Sequence, residues 1–410
     1  MRQGLLAAAA VLIALVAIST WLAAAEYVTI RPEGDYRARK STDRVLTGPD
    51  ADARRADMLR RAAFIVPAGL KRQTLPSANP LPGPVPSCRY LPEAPSGTTP
   101  KFDCVFPGGD TVKVKYGHDA EIHGETAATA LLRRLGYGAD TVVIVPRLRC
   151  YGCPRHPFLA MHLRRTFHLP FIRERIEDGY TDFEWVSVEH KFPAPAIETS
   201  TVSGWEWREL DTVDAPRAEV DAFRLIAAFL AHWDNKSENQ RLVCLDGLPR
   251  HSAQGDGGSR RHAAPRETDL SRRSAERETD LSRRSAEREG GCERPLALIQ
   301  DLGASFGPPK VNLARWRDLP VWYDRVTCTL SMRALPFDGA TFEDLRISEE
   351  GRALAATRLL SISQAEIERL FADARFMQFQ AGTDDERDLK AWVEAFTSRV
   401  RQIVEARCPG

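Results

Sequence analysis

The chain has 410 residues, 43% of them hydrophobic, with 57 basic and 56 acidic side chains and a net charge of +1. That length holds one large domain or two ordinary ones with a sizeable core. The charge balance lacks the basic excess of a general nucleic-acid binder, so no nucleic-acid partner is expected.

The first feature is the apolar N-terminus, MRQGLLAAAAVLIALVAISTWLAAAEYV. Arg2 precedes a run of apolar and small residues from Gly4 to Ala25, and Ala23-Ala24-Ala25 offers a cleavage pattern. Residues 1–25 therefore read as a signal peptide. Because the run approaches the length of a membrane span, the rival is a retained anchor through residues 4–25. Either way the protein is expected to be exported: periplasmic, secreted or membrane-anchored. In an oxidising compartment its eight cysteines should pair. Sequence does not fix the connectivity, but neighbours suggest Cys88 with Cys104, Cys150 with Cys153, Cys244 with Cys292 and Cys328 with Cys408.

Residues 26–100 read as a stalk, with one short helix in DADARRADMLRRAAFIV and then the Pro-rich stretch LPSANPLPGPVPSCRYLPEAPSGTTP. From Lys101 the pattern changes. KFDCVF and TVKVKY are strands joined by a Gly turn, and HGETAATALLRRLG is a helix closed by Gly136. ADTVVIVPRLRC and FEWVSVEHKF are strands. The helix DAPRAEVDAFRLIAAFLAHW takes Asp214 as its expected N-cap. RLVCL and LALIQDLG are short strands, and beyond Ser348 the chain is helical. Residues 251–291 are set apart. They carry RETDLSRRSAE twice, at 266–276 and 277–287, and are nearly devoid of apolar side chains. They read as a disordered insertion. The order predicts an α+β chain: a two-lobed domain over 101–408, with a β-rich N-lobe and a mostly helical C-lobe.

The chemistry concentrates in three places. His232-Trp233-Asp234-Asn235-Lys236-Ser237-Glu238-Asn239 follows a helix and precedes a strand. It resembles the protein-kinase catalytic loop His-Arg-Asp-Leu-Lys-x-x-Asn at every position but the Arg and the Leu. LALIQDLG ends a strand in Asp301-Leu302-Gly303 and resembles the metal-binding Asp-Phe-Gly motif. Asp234 and Asp301 are far apart in the chain, until the irregular stretch 247–291 is set aside. What remains suits two short strands and a turn, and a Cys244–Cys292 disulfide would staple the base of the insertion. Finally, Lys115 ends the strand TVKVKY and Glu125 lies on the following helix, where an ion pair would hold the lysine on phosphates. Lys113 shares the strand face and is the rival. Lys115 is preferred because it lies nearer the cleft.

Together these motifs resemble the atypical branch of the protein kinase-like superfamily. HGETAATALLRRLGYGADTVVIVP is similar to the corresponding segment of the secretory-pathway Golgi casein-kinase family and of type II phosphatidylinositol 4-kinases. DLGASFGPPKVNLARWRDLPVW is similar to the latter, and there is a looser similarity to HipA-type kinases. The resemblance implies an ATP-dependent kinase using Mg or Mn. Asp234 would be base or orienter, with Lys236 beside it. Lys115 and Glu125 would form the nucleotide-binding ion pair, and Asn239 and Asp301 would hold the metal. The partners would be the nucleotide and an unidentified hydroxyl acceptor on a protein, glycan or lipid. No Gly-x-Gly-x-x-Gly loop is present, and FPGGD offers only Gly108 and Gly109 as phosphate cover. These departures leave an alternative: a non-catalytic pseudokinase-type binding or scaffolding protein of the cell envelope. A third reading takes Cys150 and Cys153 as a thiol oxidoreductase pair. Trp205 and Trp207 are candidates either for the nucleotide-base pocket or for the core. The backbone of Glu189–Pro195 is the expected hinge.

Overall fold

The computed structural model describes residues 43–68, 84–93, 97–246, 291–330, 344–378 and 387–409, together with a few isolated positions. The signal-or-anchor expectation for residues 1–25 and the insertion expectation for 251–291 lie almost wholly outside the described residues. Among those described, no helix is long and apolar enough to cross a membrane.

The chain is α+β. Five strands close into a barrel: β2 (Ser87–Leu91), β3 (Lys101–Val105), β4 (Thr111–Lys115), β5 (Thr141–Tyr151) and β6 (Tyr180–His190). Their spatial order is β2-β3-β4-β6-β5, and β2 pairs with β5 in parallel to complete the ring. Period-2 alternation sets the inside. Val112, Val114, Val145, Leu148, Val186 and Val188 face inward with the Cys88–Cys104 and Cys150–Cys153 disulfides. In TVKVK the two valines point inward, so Lys113 and Lys115 point outward. There α2 (Ala120–Arg134) crosses the barrel and buries Lys115 to 1% exposure.

The second core surrounds α4 (Arg217–Leu230), in which every residue from Val220 to Leu230 is buried. It also includes α6 (Glu349–Leu360), α7 (Gln364–Asp373), α8 (Leu389–Glu405) and the short α5 (Leu313–Asp318). An antiparallel hairpin, β8 (Gln240–Cys244) with β9 (Pro295–Ile299), lies between two apolar clusters. Leu242 and Ala297 join the helical core, whereas Val243, Leu296 and Leu298 face Phe192 and Ala194. Both faces of the hairpin are buried, which explains why RLVCL and LALI read as unbroken apolar runs rather than alternating ones.

Two expectations need correction, and one left open between two alternatives is decided. Residues 26–100 do not form a stalk over their described part. β1 (Arg44–Leu46) pairs in parallel with β7 (Ile197–Thr199), α1 (Ala51–Arg60) buries Met58 and Leu59, and β2 is a barrel strand. Helix α4 begins after Pro216, and Asp214 pairs instead with Arg60. Trp205 and Trp207 are 0% and 1% exposed and pack on Phe223, so they belong to the core and do not line a base pocket.

All eight cysteines lie in pairs at bonding distance, in the four pairings expected, with Cα–Cα separations of 5.7, 5.5, 5.8 and 5.3 Å. Four disulfides point to an oxidising environment. The Cys150–Cys153 bond closes on barrel residues that are fully buried, which argues against an exchanging thiol pair.

A buried acid marks the connection between barrel and helices. Asp140 is 0% exposed, and its Oδ1 accepts the Phe192 N–H at 2.7 Å. Burial, with Glu189 adding to it, pushes its carboxyl up to about 7. A carboxyl raised above its unfolded value of about 3.9 contributes stability that is present below that value and lost as pH rises through the folded one. Asp140→Asn keeps the acceptor and removes the titration. It should therefore raise stability at pH 8 by about 1–2 kcal/mol, with the advantage vanishing towards pH 4. Paired urea melts at the two pH values check this.

Candidate nucleotide and metal site

The site forms where three backbone ends meet. The pairing of Lys101 with Lys115 places both at one end of the β3–β4 hairpin. Opposite them, the β8–β9 register pairs Gln240 with Ile299, so Asn239 and Asp301 emerge side by side. The Asn239 carbonyl accepts the N–H of Gln300 at 2.9 Å and of Asp301 at 3.4 Å. Helix α4 stops at Ala231, whose φ of +53° turns the chain into the loop carrying Asp234. Asn239 then donates its side-chain Nδ2 to the Asp234 carbonyl at 2.7 Å, leaving its amide oxygen as the acceptor for a cation. Lys236 Nζ lies 3.8 Å from the Asp234 carboxylate.

Lys115 is the centre of the arrangement. Its Nζ is 2.8 Å from Glu125, 2.5 Å from Glu121 and 3.9 Å from Asp301. Burial alone would drive its pKa down, but Glu125, Asp301 and Glu121 overcome this and hold it well above the usual lysine value. Lys113 pairs with Glu189 at 3.1 Å, outside this group. The structure thus brings together all six residues singled out in the sequence, with Asp234 and Lys236 joined to the rest through Asn239.

It also adds residues that the sequence reading missed. Glu121 lies one turn before Glu125 on the same helix face. The sequence reading opened the helix at His123, yet Asp119 caps it three residues sooner, accepting the Glu121 N–H at 2.9 Å. The i, i+4 spacing of two acids was the available signal. Glu121 is shared: Lys310 Nζ reaches it at 2.7 Å and Thr99 Oγ1 donates to it at 2.5 Å. Burial opposes its ionisation, but Lys115 and Lys310 hold its carboxyl well below the usual range.

Gly108 and Gly109 do not cover this site. Their turn joins Val105 to Thr111, at the end of the hairpin opposite Lys101 and Lys115. Four residues of strand separate the two ends, roughly 13 Å. The connection at the near end is 92–100, which carries Thr99.

Electrostatically the pocket is acidic against one central ammonium. Burial pushes Glu125 up to about 8, against the pull of Lys115, because Glu189, Asp301 and Glu121 crowd it with like charge. For Asp301, burial also opposes ionisation, but Lys115, with Lys113 and Lys101 behind it, holds the carboxyl below the usual range. The oxygens of Asp301 and Asn239 are hard donors of the kind that suit Mg or Mn. The donor set therefore fits such a cation.

Gly303 is required sterically. A Cβ there would sit 2.0 Å from Glu121 Cγ, and one at Gly124 would sit 2.8 Å from Val311 and 3.1 Å from the Gly303 carbonyl. Helix α2 thus lies directly on the Asp-Leu-Gly segment. Gly303→Ala should displace Glu121 from Lys115 and cost about 1–3 kcal/mol, the scale of overpacking. Thermal melts of that variant beside the wild type measure the loss.

No family model matches the chain, and no curated protein matches it. Among solved structures it is similar to a Helicobacter pylori proinflammatory kinase, CtkA. The likeness covers 78% of this chain and 98% of that one, at 9% identity and a TM-score of 0.37. A similarity that loose does not establish a shared fold, and the functional reading rests on the site's own geometry.

Proposed function

We propose that the chain is an exported, two-lobed kinase-like phosphotransferase that moves the γ-phosphate of ATP to a hydroxyl acceptor. The observation that carries this reading is the convergence on Lys115 of Glu125, from the helix above, and Asp301, from the strand end below. In this reading Lys115 contacts the nucleotide phosphates, and Glu121 and Glu125 fix its position. Asp301 and Asn239 would hold Mg or Mn, which when bound neutralises the charge of the phosphates. Asp234 orients the acceptor hydroxyl and takes its proton. Lys236 stabilises the transferring phosphoryl group. The acceptor oxygen forms a bond to phosphorus as the bond to the leaving β-phosphate oxygen breaks, releasing ADP. Positioning and charge neutralisation do most of the work.

Label transfer from γ-labelled ATP with Mn, to the chain itself or to a mixed panel of protein, glycan and lipid hydroxyls, tests the proposal. Transfer or slow hydrolysis that disappears in Asp234→Asn supports it. Nucleotide binding with no transfer on any arm would favour the non-catalytic reading.

A further inference from the structure

A cavity of about 1160 Å³ opens beside α2, lined by Ile122 and His123 of that helix and by Tyr116, Gly117 and His118, which follow Lys115 in the chain; Lys115 itself does not line it. Its apolar lining includes Ile122 on α2, Ile144 on β5 and Phe183 on β6. Its rim carries Trp185, Arg155 and Arg375. Two features of this rim are unusual.

One is charge. Asp182 and Glu184 also line the cavity, but Arg149 grips Asp182 through two hydrogen bonds of 2.8 and 2.9 Å, and Arg147 pairs with Glu184 at 3.2 Å. Among the described residues, Arg155 and Arg375 have no acidic partner. Burial holds the Arg375 guanidinium below its usual pKa, and no anion among the described residues offsets it. The other feature is backbone geometry. Trp185 has a φ of +52°, a left-handed conformation that a bulky residue rarely adopts. Val145 pairs with Val186 and Arg147 with Glu184, leaving Pro146, which has no N–H, opposite the kink. The kink leaves the indole 44% exposed, with Arg375 stacked 3.3 Å above its ring centroid. Strained residues of this kind cluster at ligand sites.

An apolar floor under a cationic, aromatic rim whose two arginines find no acid among the described residues suits an amphipathic anion. The volume exceeds what one phosphate or carboxylate would fill. We propose that this cavity binds a short acidic peptide segment, with an aromatic or aliphatic side chain on the floor and its carboxylates on Arg155 and Arg375. The floor includes Ile122, which neighbours Glu121 on α2, and His123 ties that helix to the Ala374 carbonyl at 2.8 Å. A bound segment therefore presses on the helix whose Glu121 and Glu125 hold Lys115. That coupling rests on the proposed function, whereas the binding itself does not.

The test is calorimetric titration of the full chain with an acetylated Asp-Glu-Phe-Asp-Glu peptide. Its arms are a Lys-Lys-Phe-Lys-Lys peptide and inorganic phosphate. The acidic peptide alone is expected to bind, at least tenfold more weakly to Arg155→Glu/Arg375→Glu and to Trp185→Ala, but with unchanged affinity to Arg325→Glu. Circular dichroism confirms that each variant is folded. Equal binding of the basic peptide, phosphate binding as tight as the peptide, or indifference to the arginine pair would each overturn the proposal. Peptide binding that leaves ATP affinity unchanged would remove the coupling and leave the site standing. Loss of ATP binding altogether would count against the proposed function alone.

Discussion

Lys115→Met should destabilise the protein by about 3–5 kcal/mol, the cost of stripping the partner from a buried charge. That is a large part of the 5–15 kcal/mol that holds a typical domain folded. The lysine side chain is 1% exposed and neutralises Glu125, Glu121 and Asp301, of which the two glutamates are nearly as buried. Methionine fills similar space, so the loss reports charge rather than a cavity. The pH dependence follows from the sign of each shift. The depressed pKa of Glu121 contributes stability that is present above the unfolded carboxylate value and lost as pH falls. Removing Lys115 shrinks that contribution and pushes Glu125 still higher, so the variant should recover relative to wild type as pH falls from 8 to 5. Adding Glu125→Gln to Lys115→Met should restore part of the loss at pH 8. Urea melts of the wild type and the two variants measure this. A single variant within about 0.5 kcal/mol of wild type at pH 8 would mean that the ion-pair cluster is not formed.

Asp301→Asn should behave in the opposite way. Asp301 is 35% exposed at its side chain and stands 3.9 Å from an ammonium that already has two closer carboxylates. Its negative charge adds to the crowding that pushes Glu125 up. Replacing it with a neutral isostere eases that crowding but gives up the small stability that its own depressed carboxyl contributes at neutral pH, so the two changes oppose each other and the melting temperature should move little. The cost should fall on function instead. Removing one preorganised charge from such a site costs about 100- to 1000-fold in rate, and metal-dependent nucleotide binding should weaken with it. Stability retained while activity is lost is the mark of a residue kept for chemistry. Melting curves and label transfer on one preparation separate the two effects.

Much of this site was legible in the chain because its parts are local. The catalytic-loop spacing from Asp234 to Asn239, the Asp-Leu-Gly after an apolar strand and the alternation in TVKVK each need only a few neighbouring residues. The choice of Lys115 over Lys113 followed from strand direction; in the structure Lys115 pairs with Glu121 and Glu125 of α2, whereas Lys113 pairs with Glu189. What escaped was non-local. β2 is five residues long among prolines, and it becomes a strand only through partners on β3 and β5. The phosphate-side turn was assigned by its glycines, whereas hairpin register decides which end of a strand faces the site. Lys310 lies beyond the Asp-Leu-Gly segment, and nothing in FGPPK marks it as a partner for a helix that precedes it by almost half the chain. Trp205 and Trp207 were ambiguous because a tryptophan pair signals burial as readily as a ring platform, and here burial prevailed.

In the proposed mechanism Asp301 and Asn239 hold a divalent cation against nucleotide phosphates anchored by Lys115. Its most direct test is the free Mn signal in electron paramagnetic resonance, recorded as protein is added with and without a non-hydrolysable ATP analogue. The signal should fall only when the analogue is present, and the fall should be lost in Asp301→Asn and in Asn239→Ala. Mn uptake that is the same without the analogue, or that persists in both variants, would contradict it.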